Sequence, residues 1–194
     1  MPETTAPEPS NSRRRPGGRS GRVRASVLEA VRALLAEEGS SGVTVEAIAR
    51  RSGVHRTTIY RRWSDPAGVV AELAASIDAE LPAPSGASLA ADLAELAARL
   101  AALLDQDGAE LVRALLGWRD DGIRDVLDGF WRSRRALFAE VLARHGSTAD
   151  PDLVLRLVAG PIYYRALLER RAPDGATVEA AVRAGLQAAG GAGR

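Results

Sequence analysis

Apolar side chains recur every three to four positions along most of this chain, the spacing that places them on one face of a helix. The first such stripe lies within residues 20–38 and ends before a glycine. Thr44, a favourable N-cap, begins a second helix that stops at the Ser-Gly-Val sequence of residues 52–54. A short third helix follows, in which Ile59 and Trp63 lie four residues apart and face inward. The pattern therefore predicts three packed helices before residue 66.

The rest of the chain is also predicted to be helical, with no strands. The predicted helices cover residues 67–80, 89–104, 108–118, 123–142, 152–170 and 177–189. Pro66 opens the first of them, and a proline-rich stretch at residues 81–86 marks a boundary after it. Gly122 is expected to break the chain before the long helix. These patterns together predict an all-α fold of about nine helices.

Composition and charge divide the chain into three parts. Residues 1–19 are rich in Pro, Ser, Thr, Gly and Arg, so we expect a disordered basic arm that either follows phosphates or is a solvated tail. Residues 20–65 then form the three-helix unit, and residues 66–194 form a larger helical domain that begins with a connecting helix at 66–81. Twelve arginines and seven acidic residues precede residue 66, against fourteen and eighteen after it. A polyanionic partner is therefore expected at the N-terminal end.

Several classes of function lack the residues that they need. The chain has no cysteine, which excludes disulfides and thiolate metal sites, and its two histidines, His55 and His145, are far apart in sequence. No nucleophile–base pair, phosphate loop or cofactor fingerprint occurs, so we expect no enzyme, metal or cofactor. The N-terminus lacks an apolar signal core, and no uncharged apolar run approaches ~20 residues. We therefore expect a cytoplasmic protein with no membrane segment.

Residues 44–63 have the form of a helix-turn-helix, two short helices joined by a tight glycine turn. The second helix carries its polar side chains on the outward sides: His55, Arg56, Thr57, Thr58, Tyr60, Arg61 and Arg62. Arginine can pair with guanine edges and with phosphates, and threonine and tyrosine hydroxyls can donate to phosphate oxygens. An ordinary helical hairpin with a solvated arginine face has the same pattern. Taken alone, the pattern favours DNA binding by roughly two to one.

The run from Thr44 to Trp63, extended through residues 64–67, resembles the DNA-binding domain of the TetR (tetracycline-repressor) family. In that family a Gly-Val turn precedes a recognition helix ending Thr-(Leu/Ile)-Tyr-x-x-(Phe/Trp), and residues 58–63, Thr-Ile-Tyr-Arg-Arg-Trp, match each position. The following Ser-Asp-Pro-Ala departs modestly from the usual Pro-Ser-Lys-Glu but keeps a polar cap and a helix-starting proline. Residues 159–165 resemble, less closely, the second-to-last helix of a TetR branch common in actinobacteria.

The resemblance implies a homodimer whose two recognition helices enter successive major grooves of a double-stranded DNA operator. It also implies a repressor that a small-molecule effector releases by binding between the C-terminal helices and moving the fourth helix. Arg56 and Thr57 are then the expected base readers, and Thr58 and Tyr60 the expected DNA backbone contacts. The further candidate contacts are Thr44, His55, Arg61 and Arg62, and His55 also suits a helix cap. Two alternatives stay open: a ligand-binding or scaffold protein with a vestigial DNA-binding domain, and a non-specific architectural DNA binder.

The C-terminal part offers few candidates for a ligand pocket. Its scarce aromatic residues are the candidates, although most aromatics are simply core: Trp118, Phe130, Trp131, Phe138, Tyr163 and Tyr164. The helix at 152–170 is apolar on nearly every side, so one face is expected on the core and another on a partner subunit. Pro161 removes an amide donor and should kink this helix. The kink either opens space for a ligand or only adjusts packing.

Overall fold

The computed structural model describes residues 18–79, 83–84, 86–119 and 121–191. Within those ranges it contains nine α-helices and no strand. In chain order they are α1 (Arg19–Glu38), α2 (Val45–Ser52), α3 (Arg56–Trp63), α4 (Pro66–Ala79), α5 (Leu89–Leu103), α6 (Gln106–Leu116), α7 (Asp121–Arg144), α8 (Pro151–Tyr163) and α9 (Gly175–Gly191). A π-helical segment, Tyr164–Leu168, continues α8. The all-α prediction is confirmed, and the arm predicted at residues 1–19 lies almost wholly outside the described residues.

Side-chain caps explain where two of the helices begin. The hydroxyl of Thr44 accepts a hydrogen bond from the backbone N–H of Ala47 at 3.1 Å, which fixes the start of α2. The hydroxyl of Ser88 accepts from the N–H of Ala91 at 3.2 Å, which fixes the start of α5. Each bond satisfies one of the amide donors that a helix leaves free in its first turn. Both starts were predicted because capping depends only on neighbouring residues.

Two hydrophobic clusters form the core. The first joins α1, α2, α3 and α4, and it also includes Leu111 and Leu115 of α6 and Ile123 of α7. The second joins α5, α7, α8 and α9. The three N-terminal helices therefore share their core with helices that follow residue 66. Buried side chains from both sides of residue 65 pack together in the first cluster. The domain boundary predicted at residue 65 stays a prediction.

The helix α8 has one buried face and one exposed face. Val154, Val158 and Ile162 are buried in the second cluster. On the other side, 44% of Leu153 is exposed, and Leu168 of the adjoining π-helical segment is 71% exposed. One face of α8 packs on the core, as predicted. The face predicted to contact a partner subunit is exposed to solvent in the single chain.

Two local predictions differ from the structure. Gly122 does not break the chain but lies in the first turn of α7, where backbone amides have no partner within the helix in any case. The helix predicted at 152–170 stays α-helical only to Tyr163. Beyond it the N–H of Glu169 donates to the carbonyl of Tyr164 at 3.2 Å, five residues back. The π-helical geometry therefore begins at Tyr164, and the kink expected at Pro161 stays a prediction.

Candidate DNA-binding surface and internal cavity

A glycine turn and two buried side chains orient the helix α3. Gly53 has φ 69° and ψ 11°, the left-handed conformation that glycine adopts without a steric penalty. Ile59 and Trp63, one turn apart on α3, are 1% and 6% exposed. Their burial against the first cluster fixes which side of α3 faces outward.

The outward side of α3 is polar and basic. Arg56, Thr57, Tyr60 and Arg61 are exposed, whereas Thr58 is half-buried. About half of Tyr60 is accessible, 49%. In the described part of the chain no ion pair involves Arg56 or Arg61, so both guanidinium groups are available to phosphates or bases. This surface has the donors that duplex DNA requires.

Two of the residues predicted to contact DNA, His55 and Thr44, also cap helices with their side chains. His55 precedes α3, and its Nδ1 accepts from the backbone N–H of Thr57 at 3.4 Å. The same nitrogen lies 2.9 Å from the hydroxyl of Thr57, which restricts the orientation of that side chain. Thr44 likewise uses its hydroxyl as the cap of α2. The capping role considered for His55 is therefore present, and its ring remains exposed beside the recognition surface.

Arg62 differs from the other arginines of α3 because it contacts the protein itself. Its guanidinium donates to the hydroxyl of Ser20 at 3.1 Å and lies 3.6 Å from a carboxylate oxygen of Glu72. It also lies 5.0 Å from the centre of the Trp63 ring, a distance suited to a cation–π contact. The side chain thus connects α3 to α1 and α4.

Glu72 of α4 is at the centre of this cluster. It accepts hydrogen bonds from the indole N–H of Trp63 and from Arg24 of α1. Burial alone would raise the pKa of Glu72, but the hydrogen bonds from Arg24 and Trp63, with the charge of Arg62, lower it below its usual value. The carboxylate is therefore ionised at neutral pH, and it joins three helices.

An apolar cavity of about 340 Å³ lies between α4, α5, α6, α7 and the end of α8. Its lining consists of Ala74, Ile77, Leu103, Gly108, Leu111, Val112, Leu115, Leu116, Leu127, Phe130, Trp131, Tyr163 and Leu167. A smaller cavity of about 40 Å³ adjoins it and shares the walls formed by Phe130, Trp131 and Tyr163. The larger cavity has a size and an apolar character typical of small-molecule sites.

The structure separates the six aromatic pocket candidates into three groups. Phe130, Trp131 and Tyr163 line both cavities, and Phe138 lines only the smaller one. The remaining two lie elsewhere. Trp118 packs against the first hydrophobic cluster, and Tyr164 is 57% exposed on the surface. Neither is among the residues that line these two cavities.

The three shared aromatic residues pack edge to face. The ring centres of Phe130 and Trp131 are 5.3 Å apart, and those of Trp131 and Tyr163 are 5.7 Å apart. Burial raises the pKa of Tyr163 to about 12, and the nearby charge of Arg134 opposes this only partly. Tyr163 therefore remains an uncharged phenol at neutral pH.

Most residues of the cavity wall are aliphatic and were not among the pocket candidates predicted from the sequence. Ala74 and Ile77 of α4 and Leu111 and Leu115 of α6 are aliphatic side chains with the spacing of ordinary core positions. Nothing in the local pattern distinguishes an aliphatic side chain that fills a core from one that borders empty space. The cavity depends on how five helices pack, and only the structure contains that information.

The described residues include no group of three or more histidine, cysteine or carboxylate side chains that could hold a metal ion. None of their helices combines the length and the apolar composition needed to cross a membrane.

Two family models match the sequence. The model for bacterial regulatory proteins of the tetR family matches residues 27–73. The model described as Tetracyclin repressor-like, C-terminal domain, matches residues 82–184, which is more than half of the chain. The first match covers the helix-turn-helix, and the second covers every helix that lines the cavity except α4.

Individual relatives agree with the family models. The chain is 30% identical over 154 residues to the uncharacterized HTH-type transcriptional regulator YdeS of Bacillus subtilis, covering 74% of this chain and 77% of YdeS. It is 29% identical over 165 residues to the HTH-type transcriptional regulator AqdR of Rhodococcus erythropolis, covering 80% of each.

Solved structures have the same fold. The TetR family transcription regulator SCO0332 superposes with a TM-score of 0.63 at 29% identity, over 82% of this chain and 94% of its own. Salmonella enterica GusR superposes with a TM-score of 0.67 over 86% of this chain and 95% of its own, at 16% identity. The chain belongs to the TetR family of bacterial regulatory proteins and is a DNA-binding regulator of transcription.

Proposed function

We propose that this protein is a homodimeric repressor that leaves its DNA operator when a small molecule occupies the internal cavity. Each subunit presents one helix α3 to the major groove, and the two helices bind half-sites ~34–36 Å apart on one side of the duplex. As a regulator it acts on chromosomal DNA in the cytoplasm and catalyses no reaction.

One observation about α4 supports the regulatory part of this proposal most strongly. Ala74 and Ile77 of α4 line the cavity, and Glu72 of the same helix binds Trp63 at the end of α3. A ligand that fits the cavity only when α4 has shifted would therefore also move α3. The ligand acts only through its different affinities for the two arrangements, which is the condition for any allosteric effector.

The exposed side chains of α3 support specific roles on DNA. Arg56 and Thr57, at its N-terminal end, read base edges, and Tyr60 and Thr58 contact the sugar-phosphate backbone. Arg61 binds phosphate, and Thr44 and His55 are further contacts to the DNA. Arg62 contributes less direct binding because it already contacts Ser20 and Glu72, and its main role is to hold α3 in place.

The open face of α8 supports the homodimer. Leu153 of α8 is 44% exposed, and Tyr164 and Leu168 of the π-helical segment that continues α8 are 57% and 71% exposed. Large apolar side chains exposed in this way are typical of interfaces. A second copy of the chain is the occupant, because two recognition helices must be held at the spacing of successive major grooves. Leu168→Glu should shift the protein to monomer in light scattering at micromolar concentration. The matched control is Ala98→Glu at an exposed residue of α5, and it should leave the dimer intact.

Selection of genomic fragments tests the DNA-binding part. The wild-type protein is incubated at physiological salt with fragments of its source genome, including DNA that flanks its own gene, and the bound fragments are sequenced. We expect a preferred, roughly palindromic sequence, and we expect Tyr60→Ala to weaken binding to it. Arg56→Ala should reduce the discrimination between that sequence and its point variants.

Two results would contradict the proposal. Weak binding to every fragment alike, unchanged by Tyr60→Ala, would mean that the helix-turn-helix is vestigial and that function lies in the C-terminal helices. Tight binding without sequence preference but with steep salt dependence would indicate an architectural DNA binder.

A further inference from the structure

None of the described residues that line the larger cavity carries a charge. Of the described residues that line it, only Tyr163 has an ionisable side chain, and its raised pKa of about 12 keeps it neutral. The other twelve are one glycine, two aromatic residues and aliphatic side chains. The polar atoms of the lining side chains are the hydroxyl of Tyr163 and the indole N–H of Trp131.

Among the described residues that line these two cavities, one side chain is charged, and it lies on the far side of the shared aromatic residues. Arg134 lines the smaller cavity of about 40 Å³, not the larger one. Its guanidinium lies 5.5 Å from the centre of the Phe130 ring. Phe130, Trp131 and Tyr163 belong to both walls, so they form the partition between Arg134 and the larger space.

This arrangement decides which ligands can be accommodated. An ion that enters an apolar space loses its hydration, and it regains that free energy only from an opposite charge or from several hydrogen bonds. The described residues that line the larger cavity supply neither an opposite charge nor more than two polar side-chain groups. A neutral apolar molecule has little hydration to lose and gains contacts with the wall.

The volume limits the size of the ligand. A cavity of about 150 Å³ lined by aliphatic and aromatic side chains accommodates one benzene molecule. The cavity here measures about 340 Å³, a little more than twice that volume. It therefore suits a molecule with about two aromatic rings or an aliphatic skeleton of equal volume.

We propose that the effector of this regulator is an uncharged, mainly apolar molecule of about two-ring size, and that the cavity discriminates against charged analogues of the same shape. The ligand's role as an effector rests on the proposed function, whereas its binding does not. A hydroxyl or carbonyl group on the ligand can hydrogen-bond to Tyr163 or Trp131, and the remainder packs against the aliphatic wall.

Three compounds of matched shape test the inference in the absence of DNA. They are 2-naphthylmethanol, which is neutral, 2-naphthoate, which is an anion at pH 7.5, and 2-naphthylmethylamine, which is a cation there. Titration calorimetry on the full chain should give one site per subunit for the alcohol. Each ion should bind at least about a hundredfold more weakly, because its desolvation is not compensated.

Two variants assign the binding to this cavity. Val112→Phe replaces a side chain of the cavity wall by a larger one, which reduces the space for a ligand. It should weaken binding of the alcohol at least about tenfold. Ala98→Phe makes a comparable change on the exposed side of α5 and should leave binding unaltered. If Val112→Phe does not fold by circular dichroism, Leu116→Trp replaces it, because Leu116 lines the cavity and is 54% exposed.

Several results would overturn the inference. They are binding of either ion as tight as that of the alcohol, no detectable binding of the alcohol, or alcohol binding that the cavity variants leave unchanged. Anion binding that Arg134→Met abolishes would place the ligand on the other side of the aromatic partition. Because no DNA is present, these outcomes are independent of whether the protein recognises an operator.

Discussion

Trp63, the last residue of α3, donates its indole N–H to a carboxylate oxygen of Glu72 on α4. Arg24 of α1 donates to the other oxygen of the same carboxylate, and Arg62 lies 3.6 Å from it. The end of the recognition helix is thus joined by polar contacts to the helix that forms part of the cavity wall. A charged residue in this position is costly to bury unless it is paired, and here each oxygen has a donor.

Replacing Glu72 by glutamine should destabilise the protein. Glutamine can still accept from Trp63, but it removes the ionic partner of Arg24 and Arg62. We expect a loss of about 1–2 kcal/mol in the free energy of unfolding, a range that allows for partial solvent screening of these pairs. Urea denaturation followed by circular dichroism measures it.

The control for this variant is Glu29→Gln. Glu29 is an exposed residue of α1, and an exposed change of this kind alters stability by at most about 0.5 kcal/mol. Equal stability of the two variants would mean that the Glu72 cluster contributes nothing to the fold. In that event the proposed path from the cavity to α3 would need another connection.

A second carboxylate, that of Asp92 on α5, joins α5 to Arg144 at the end of α7 and to the following His145. It is fully buried and accepts from the N–H of Gly86 at 2.6 Å. His145 Nε2 lies 2.8 Å from its other oxygen, and Arg144 donates to that oxygen at 3.2 Å. Burial alone would raise the pKa of Asp92, but the hydrogen bonds from His145 and Gly86 outweigh it and lower the pKa.

The lowered pKa of Asp92 predicts a loss of stability in acid. A carboxyl group with a lower pKa in the folded state contributes its full stability above its unfolded pKa of about 3.9. That contribution decreases as the pH falls through the folded pKa, because the native state must then take up a proton. Asp92→Asn should reduce the loss of stability below about pH 5 and lower stability at pH 7 by about 2 kcal/mol.

Urea denaturation at several pH values between 3 and 7 tests this expectation. The matched control is Asp121→Asn, whose carboxylate is 93% exposed and pairs with Arg124 on the surface. The control should keep the acid dependence of the wild type. An unaltered slope below pH 5 in Asp92→Asn would show that Asp92 does not contribute to the acid dependence.

The parts of the fold that were predicted from sequence depend on neighbouring residues. Thr44 caps α2 through an amide three residues away, and Gly53 provides the left-handed turn between α2 and α3. Ile59 and Trp63 are buried because their spacing places them on one side of a single helix. The helix-turn-helix could therefore be found without any knowledge of the rest of the molecule.

The contacts that were not predicted join distant parts of the chain. Asp92 and His145 are separated by 53 positions, and nothing in the sequence around either residue indicates that the two meet. Trp118 and Trp131 are similar apolar aromatics in sequence, yet one packs on the first cluster and the other lines the cavity. Helix packing determines which side chain takes which role, and periodicity does not contain that information.

A close approach between the last two helices gives a further prediction. A Cβ atom on Gly185 of α9 would lie 2.5 Å from a methyl group of Val158 on α8, closer than packed atoms tolerate. Gly185→Ala should therefore destabilise the protein by about 1–3 kcal/mol. Gly190→Ala in the same helix has open space around its Cβ and should stabilise it by about 0.5 kcal/mol. Thermal unfolding compares the two, and equal midpoints would contradict the tight packing of α8 on α9.

The salt dependence of operator binding should distinguish the side chains of α3. A contact between an arginine and a phosphate releases a counterion. In a plot of the logarithm of the binding constant against the logarithm of the salt concentration, each such contact therefore makes the slope more negative by about 0.9. Arg61→Ala should reduce this slope by about one such contact, because Arg61 is exposed and forms no ion pair among the described residues. Tyr60→Ala should weaken binding at every salt concentration without changing the slope, because a neutral hydroxyl displaces no ion.

Arg62→Ala is the informative comparison for Arg61→Ala. Its guanidinium is already near Glu72 and bonded to Ser20, so it displaces fewer counterions from DNA than Arg61 does. We expect a smaller change in slope together with a loss of stability, whereas Arg61→Ala should leave stability unchanged. Titrations of a fluorescent operator duplex between about 50 and 200 mM salt measure the slopes.

A larger change for Arg62 than for Arg61 would mean that Arg62 leaves Glu72 for a phosphate when DNA binds. In that case Glu72 would compete with DNA instead of only positioning α3.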